Sequence, residues 1–195
     1  MLSLKSAALI ALGAVIALLL AGCIFSPDTK RPTQPSGYLA YSSPENVITN
    51  MTRLYNNRDF TEYGNALASD YVFRFAPVDI IVGQPDSLVL ADELTFAENL
   101  FHDGKPAANL EPASKITLVI NTQTHGPDNR VGHSGWERYV VSTDLTLDFA
   151  DGNSSRVTGT GYFYFKQEPA GSGTWKLAEW ADQGGTLGKP LLASR

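Results

Sequence analysis

Residues 161–180 read GYFYFKQEPAGSGTWKLAEW, two aromatic-rich runs on either side of a Pro, Gly and Ser cluster. Aromatic residues favour strands, and the Ala-Gly-Ser-Gly run at 170–173 is typical of a hairpin turn. We therefore predict a hairpin whose strands span residues 157–166 and 175–182. Gly184-Gly185 is expected to end the second strand.

This hairpin continues a pattern that begins near residue 115. Apolar residues there alternate with a period of two from Ile116 to Ile120, which indicates a strand. A turn at 126–129 leads into a long strand over 136–149, and Asp151-Gly152 is a strong hairpin signal. The second half of the chain thus predicts four long antiparallel strands.

The first half predicts helices. In Ser43-Pro44-Glu45, Ser is a helix cap, Pro suits the first helical position and Glu complements the helix dipole. Asp59 is expected to cap a second helix. A short strand over 71–75 and a third helix over 90–101, ended by Gly104, complete this half.

The order of these elements predicts an α+β fold, with three N-terminal helices packed on a strongly curved antiparallel sheet of four long strands plus one short strand. It resembles the nuclear transport factor 2-like superfamily, a cone-shaped fold that includes ketosteroid isomerase and SnoaL-like cyclases. The resemblance covers residues 44–184 and is carried by the runs 43–45, 55–59, 161–165 and 175–180. It implies a cone with an internal cavity, and this cone hosts isomerases, cyclases and binding modules alike.

The chain opens with the three parts of an export signal. Lys5 precedes an uncharged apolar run over residues 7–20, and the stretch Leu20-Ala21-Gly22-Cys23 follows. This stretch resembles the bacterial lipobox, which implies that the Cys23 thiol is lipidated and that the chain is cut between Gly22 and Cys23. Residues 1–22 would then be a lipoprotein signal peptide.

The remaining chain divides into three parts. Residues 23–43 are rich in Pro and read as a flexible tether, residues 44–184 as the cone-shaped domain, and residues 185–195 as a loose tail. Acyl chains on Cys23 would hold the protein in the bacterial cell envelope, outside the cytoplasm. Because Ile24 rather than Asp follows Cys23, sorting to the outer membrane is expected in a Gram-negative host.

Charge and motif content restrict the partners. Cleavage after residue 22 removes one Lys and leaves a net charge near −6, which excludes a nucleic-acid-binding surface. Membrane contact is therefore expected through acyl chains alone. We expect no cofactor and no metal, since His125 and His133 lack a third ligand and the chain has no Gly-rich phosphate loop.

Six residues are candidates for lining a pocket in the cone: Tyr55, Asp70, Tyr139, Tyr164, Trp180 and Asp182. A carboxyl group in such a pocket could have a raised pKa and act as a base. No residue matches the catalytic positions of the isomerase convincingly, so no catalytic residue is assigned.

Because side chains alternate along a strand, both faces of the last two strands are expected to be apolar in part. The set Tyr162, Tyr164, Trp180 and Asp182 cannot all share a face with the set Phe163, Phe165, Trp175 and Leu177. The helices would pack on one of these faces. The other is a candidate surface for a homodimer, as in sheet-to-sheet dimers of the superfamily.

We expect a non-enzymatic module that binds a small apolar ligand or a protein partner at the membrane surface. The alternatives are an isomerase or cyclase that uses a carboxylate in the cone, and a structural envelope module that self-associates. A buried carboxyl group that faces a cavity separates the enzyme from the binding module, and the absence of a cavity would favour the structural module.

Replacing Cys23 by Ser tests the anchor. We expect the Cys23→Ser precursor to remain uncut and unlipidated, because both reactions act at this residue. Intact-mass spectrometry of the membrane-extracted protein would reveal the retained leader. A variant that is matured normally and still carries acyl chains would contradict the assignment.

Overall fold

The computed structural model describes residues 37–80, 82–83, 85–103 and 111–186. Within them, a compact unit begins at Tyr38. The leader, Cys23 and most of the predicted tether lie outside the described residues, as do Gly104 and residues 187–195.

In the described residues, three α-helices and six strands form an α+β fold, as predicted. The helices are α1 (Pro44–Asn57), α2 (Phe60–Ala66) and α3 (Leu90–Glu98). The strands are β1 (Leu67–Arg74), β2 (Ser87–Val89), β3 (Lys115–Pro127), β4 (Glu137–Asp148), β5 (Ser154–Gln167) and β6 (Trp175–Thr186).

Side-chain caps fix the starts of the first two helices. The Ser43 hydroxyl accepts a hydrogen bond from the N–H of Asn46 at 3.3 Å, and a carboxylate oxygen of Asp59 accepts one from the N–H of Glu62 at 3.1 Å. Both caps are as predicted. The apolar stripe of α1 is buried throughout, at Val47, Ile48, Met51, Leu54 and Tyr55.

Helix α3 differs from its prediction at its end. Its regular part stops at Glu98 and passes into a π-helical turn, Asn99–Asp103. This wider turn still buries Leu100 and Phe101, so the apolar pattern predicted the burial correctly but not the type of helix.

The sheet is curved and mixed, with the strand order β2-β1-β6-β5-β4-β3. Strand β1 runs parallel to β6, and all other neighbouring pairs are antiparallel. The prediction of a wholly antiparallel sheet with one short strand is therefore wrong. Parallel pairing needs a long crossover, which the chain between β1 and β6 supplies, and the three residues of β2 are too few to show a period of two.

The paired glycines of β6 mark a bulge and not the predicted end of the strand. Strand β6 continues through Gly184 and Gly185 to Thr186. Gly161 pairs with Asp182 and Gly159 pairs with Gly185, which leaves one extra residue on β6. Gly184 takes up this residue with a φ of +94°, a conformation that favours glycine.

A second bulge in β6 decides which side chains face the helices. Phe165 pairs with Leu177 and Tyr164 pairs with Glu179, which leaves Ala178 as the extra residue. The bulge resets the alternation, so that Leu177 before it and Trp180 after it both face the core side of the sheet. The uninterrupted alternation that the sequence predicts for this strand therefore does not hold through β6, and Trp180 shares the core side with Phe163 and Leu177.

The core lies between the helices and the inner face of the sheet. It includes Met51, Leu54, Tyr63, Phe101, Ile116, Leu147, Phe163, Phe165 and Leu177, each almost inaccessible to solvent. Of the helices in the described part of the chain, none is long and apolar enough to cross a membrane.

A charged network lies on the outer face of the sheet. The Arg130 guanidinium lies 3.6 Å above the ring of Tyr164 and donates to Glu179 and to Asp128. Burial opposes ionisation of Asp128, but hydrogen bonds from Arg130 and His133 outweigh it and lower the pKa of Asp128 to about 2. The loop after β3 is thereby fastened over strands β5 and β6.

Gly185 is required by the close approach of β5 and β6. A Cβ at this position would overlap the carbonyl oxygen of Thr158. We expect Gly185→Ala to lower the free energy of unfolding by about 2 kcal/mol, the typical cost of overpacking, as measured by urea denaturation. Gly126→Ala is the matched control, because a Cβ there meets no atom within 4 Å. Equal stability of the two variants would contradict this packing.

Candidate functional site

A pocket of about 120 Å³ lies between the inner face of the sheet and the helices, and it is partly open to solvent. Its lining comprises Tyr55, Phe73, Phe75, Leu88, Glu93, Phe96, Leu118, Thr143, Leu145, Val157, Gly159, Trp180 and Asp182. Three of the six residues predicted to line a pocket are therefore brought together: Tyr55, Trp180 and Asp182.

Aromatic rings form one wall of this pocket. The ring of Phe73 lies 5.0 Å from that of Phe75 and 5.7 Å from that of Trp180, centroid to centroid. Trp180 also packs against Phe163 at 4.7 Å. These contacts link the wall to the core and hold the indole in place.

Glycines of β5 leave the space that this wall needs. A Cβ on Gly161 would lie 3.3 Å from the indole nitrogen of Trp180, so the missing side chain lets the indole lie against the strand. Gly159 lines the pocket itself, and a Cβ there would lie 3.7 Å from a carboxylate oxygen of Asp182. Any larger residue at Gly159 would project beside this carboxylate.

Asp182 is a buried carboxyl group whose hydrogen bonding is incomplete. Its residue is only 7% exposed, and its Oδ1 atom accepts a hydrogen bond from the N–H of Gly184 at 3.1 Å. Its Oδ2 atom is buried without any hydrogen-bond partner. Burial raises the pKa of the Asp182 carboxyl group, and the negative charge of Asp79 raises it further, while the Gly184 N–H partly offsets both.

A hydrogen-bonded chain lies on the helix side of the pocket. The Tyr63 hydroxyl donates to Glu93 Oε1 at 2.6 Å, and the Tyr55 hydroxyl lies 3.4 Å from that of Tyr63. Because Tyr63 uses its proton on Glu93, Tyr55 is the donor in the longer contact. Burial raises the pKa of both tyrosines, and the charge of Glu93 adds to this, so both remain protonated.

The other three predicted residues lie outside the pocket. The Asp70 side chain is 61% exposed and pairs with Lys166 at 2.6 Å. Tyr139 donates its hydroxyl proton to Glu45 and stacks on His125. Tyr164 lies on the outer face beneath Arg130. A period of two does not reveal the bulge at Ala178, so it could not show that Trp180 and Asp182 face the core side of the sheet while Tyr164 faces outward.

Glu93 is a charged pocket residue that the sequence did not lead us to predict. It lies on α3 one turn before Ala97, on the helix face that carries the apolar positions. An acidic residue in such a stripe is unusual, because a buried charge needs a partner. This break in the apolar stripe is the feature of the sequence from which Glu93 could have been predicted.

The histidines do not form a metal site. His133 contacts Asp128 through Nδ1 at 2.5 Å and stacks on Trp136, whereas His125 stacks on Tyr139. Across the described residues, no group of three or more His, Cys, Asp or Glu is arranged to hold a metal ion.

Comparison with solved structures identifies the fold. A conserved protein from Planctomyces limnophilus superposes with a TM-score of 0.52 at 12% identity, covering 70% of this chain and 89% of its own. A candidate scytalone dehydratase from Novosphingobium aromaticivorans gives a TM-score of 0.51 at 9% identity, covering 71% and 78%. A ketosteroid isomerase-like protein from Erwinia carotovora gives 0.49 at 12% identity, covering 72% and 94%.

The domain has the nuclear transport factor 2-like cone fold. The predicted resemblance is confirmed at this level. No protein-family model matches the sequence, and no curated protein matches it. At these identities the likeness shows the fold alone, and the cone includes both enzymes and proteins of unknown function.

Asp182→Asn tests the electrostatic cost of the buried carboxylate. Asn preserves the shape and the acceptor for Gly184 but removes the charge. Because the folded-state pKa is raised, the cost applies above the unfolded-state pKa and is absent below it. We expect the stability of the variant relative to wild type to increase between pH 4 and pH 7 in urea denaturation, because only wild type then carries the cost of ionising a buried carboxyl group.

Asp70→Asn is the control, since Asp70 lies in solvent. Its ion pair with Lys166 is at the surface and contributes at most about 1 kcal/mol. A difference between variant and wild type that does not change between pH 4 and pH 7 would contradict the raised pKa of Asp182.

Proposed function

We propose that this chain is a lipid-anchored protein of the bacterial cell envelope whose cone domain binds a small apolar ligand. The anchor is supported by the apolar run and the lipobox-like residues 20–23. The binding role is supported by the pocket, whose walls are largely aromatic and aliphatic. Binding would take place at the membrane surface, within reach of the tether.

The single observation that carries the binding role is an apolar pocket that the core leaves unfilled. Protein interiors are close-packed, and a concave, largely apolar pocket lined by large side chains is the usual form of a small-molecule site. Its volume of about 120 Å³ is close to that of an engineered cavity of about 150 Å³ that binds benzene. A ligand with a single ring is therefore the expected size.

A second candidate function is an enzyme of the isomerase or cyclase type. The observation in its favour is Asp182, whose burial in an apolar pocket raises its pKa, as in many general bases. Tyr55 would then offer a hydroxyl group from the opposite side of the pocket. Proton exchange at an acidic C–H of a bound ketone, lost in Asp182→Asn, would favour this reading over simple binding.

Self-association through the outer face remains a third proposal. The described part of that face carries the charged side chains of Arg74, Arg130 and Glu179 beside the aromatic ring of Tyr164. A partner copy would have to accommodate these charges, so this surface is less apolar than the sequence predicted. Size-exclusion chromatography of the domain lacking residues 1–23 measures the association.

Filling the pocket tests the binding role. In Gly159→Val, a side chain would occupy the space beside Asp182 with only ordinary contacts at its Cβ. We expect benzyl alcohol to shift the indole N–H resonance of Trp180 saturably in wild type and at least about tenfold more weakly in the variant, because the ligand loses its space. Trp136 and Trp175 do not line the pocket and serve as internal references.

Thr160→Val is the matched control. Thr160 is the next residue of β5, is exposed, and points to the opposite face of the sheet. It should leave binding unchanged. If Gly159→Val binds benzyl alcohol as well as wild type does, or if Trp180 never responds, the pocket is not the binding site.

A further inference from the structure

The charge of the pocket has one sign. Among the described residues that line it, the two charged side chains are those of Glu93 and Asp182, and none is Lys, Arg or His. Asp79 lies close enough to raise the pKa of Asp182, and its own Oδ2 atom is buried without a hydrogen-bond partner. An anionic ligand would therefore meet only repulsion at this end of the pocket.

One oxygen of Asp182 also lacks a hydrogen-bond donor. One of its oxygens accepts from the backbone of Gly184, and the other is buried with no partner. A carboxylate has capacity for several donors, and leaving a buried oxygen unsatisfied is costly. A neutral hydrocarbon ligand would fill the pocket but would leave this cost in place.

The aromatic wall suits a cation. Phe73 contacts both Phe75 and Trp180 along one side of the pocket, and Phe96 contributes a further ring. The faces of aromatic rings, above all that of Trp, attract ammonium groups, and more strongly where water is excluded. The carboxylate and the ring of Trp180 belong to the same strand, two residues apart and on the same face.

We propose that the ligand is a small organic amine, with a single-ring apolar body against Phe73, Phe75 and Trp180 and an ammonium group on Asp182. The inference rests on the proposed binding role and names the chemical class of the ligand. The ammonium supplies the donors that Asp182 lacks, and the apolar body replaces the void. Glu93, held by Tyr63, adds negative potential on the helix side.

Two probes of the same shape test the charge preference. Benzylamine is a cation at neutral pH and benzyl alcohol is neutral, and both can be titrated into the wild-type domain while the Trp180 indole resonance is followed. We expect wild type to bind benzylamine at least about tenfold more tightly than benzyl alcohol, because hydrogen bonds between charged groups are stronger than those of neutral groups. Phenylacetate, the anionic probe, should not bind measurably.

Asp182→Asn assigns this preference to one residue. The variant should lose about tenfold in benzylamine affinity and clearly less in benzyl alcohol affinity, because the ammonium group loses an ion pair whereas the hydroxyl group loses only part of a hydrogen bond. Asp70→Asn should behave as wild type, since that carboxylate lies outside the pocket. A measurement on wild type alone gives an independent check: acidification that protonates Asp182 should weaken benzylamine binding much more than benzyl alcohol binding.

The outcomes separate this inference from the binding role. If both probes bind equally, or if Asp182→Asn keeps the preference for the amine, the amine proposal is wrong while the binding role stands. If neither probe binds wild type in a manner that Gly159→Val blocks, both are wrong.

Discussion

One extra residue in β6 determines what the pocket can do. Ala178 interrupts the alternation of the strand, so that Leu177 packs in the core and Trp180 and Asp182 also face inward. Without this bulge, the indole and the carboxylate would lie on the outer face beside Tyr164. The bulge at Gly184 then provides the backbone N–H that holds the carboxylate in place. Bulges commonly redirect side chains in this way beside functional sites.

The two faces of the sheet use carboxylates in opposite ways. On the outer face, Asp128 and Glu179 are satisfied by Arg130, and their ion pairs fasten a loop over the sheet. On the inner face, Asp182 is bonded only by backbone N–H groups, and its Oδ2 atom has no partner in a largely apolar pocket. The first arrangement stabilises the fold, whereas the second costs stability and is typical of a site that a ligand completes. The contrast within one sheet supports assigning the inner face to function.

Local signals in the sequence predicted local structure well. Ser43 and Asp59 cap helices as expected, and the apolar stripe of α1 is buried because its period matches the helix. Non-local features were not predictable in this way. The parallel pairing of β1 with β6 and the bulge at Ala178 depend on register between distant strands, and no local period encodes register. For this reason the sequence could not show that Tyr164 lies on the face opposite Trp180 and Asp182.

The account depends on an ionisable group that is shielded from water in an apolar pocket. The most direct test is the pKa of the Asp182 carboxyl group, measured by ¹³C NMR in the free domain and again with benzylamine bound. The account predicts a value above the ordinary aspartate value of about 3.9 in the free domain, and a fall when the ammonium group binds. An ordinary or lowered value that the amine leaves unchanged would contradict it.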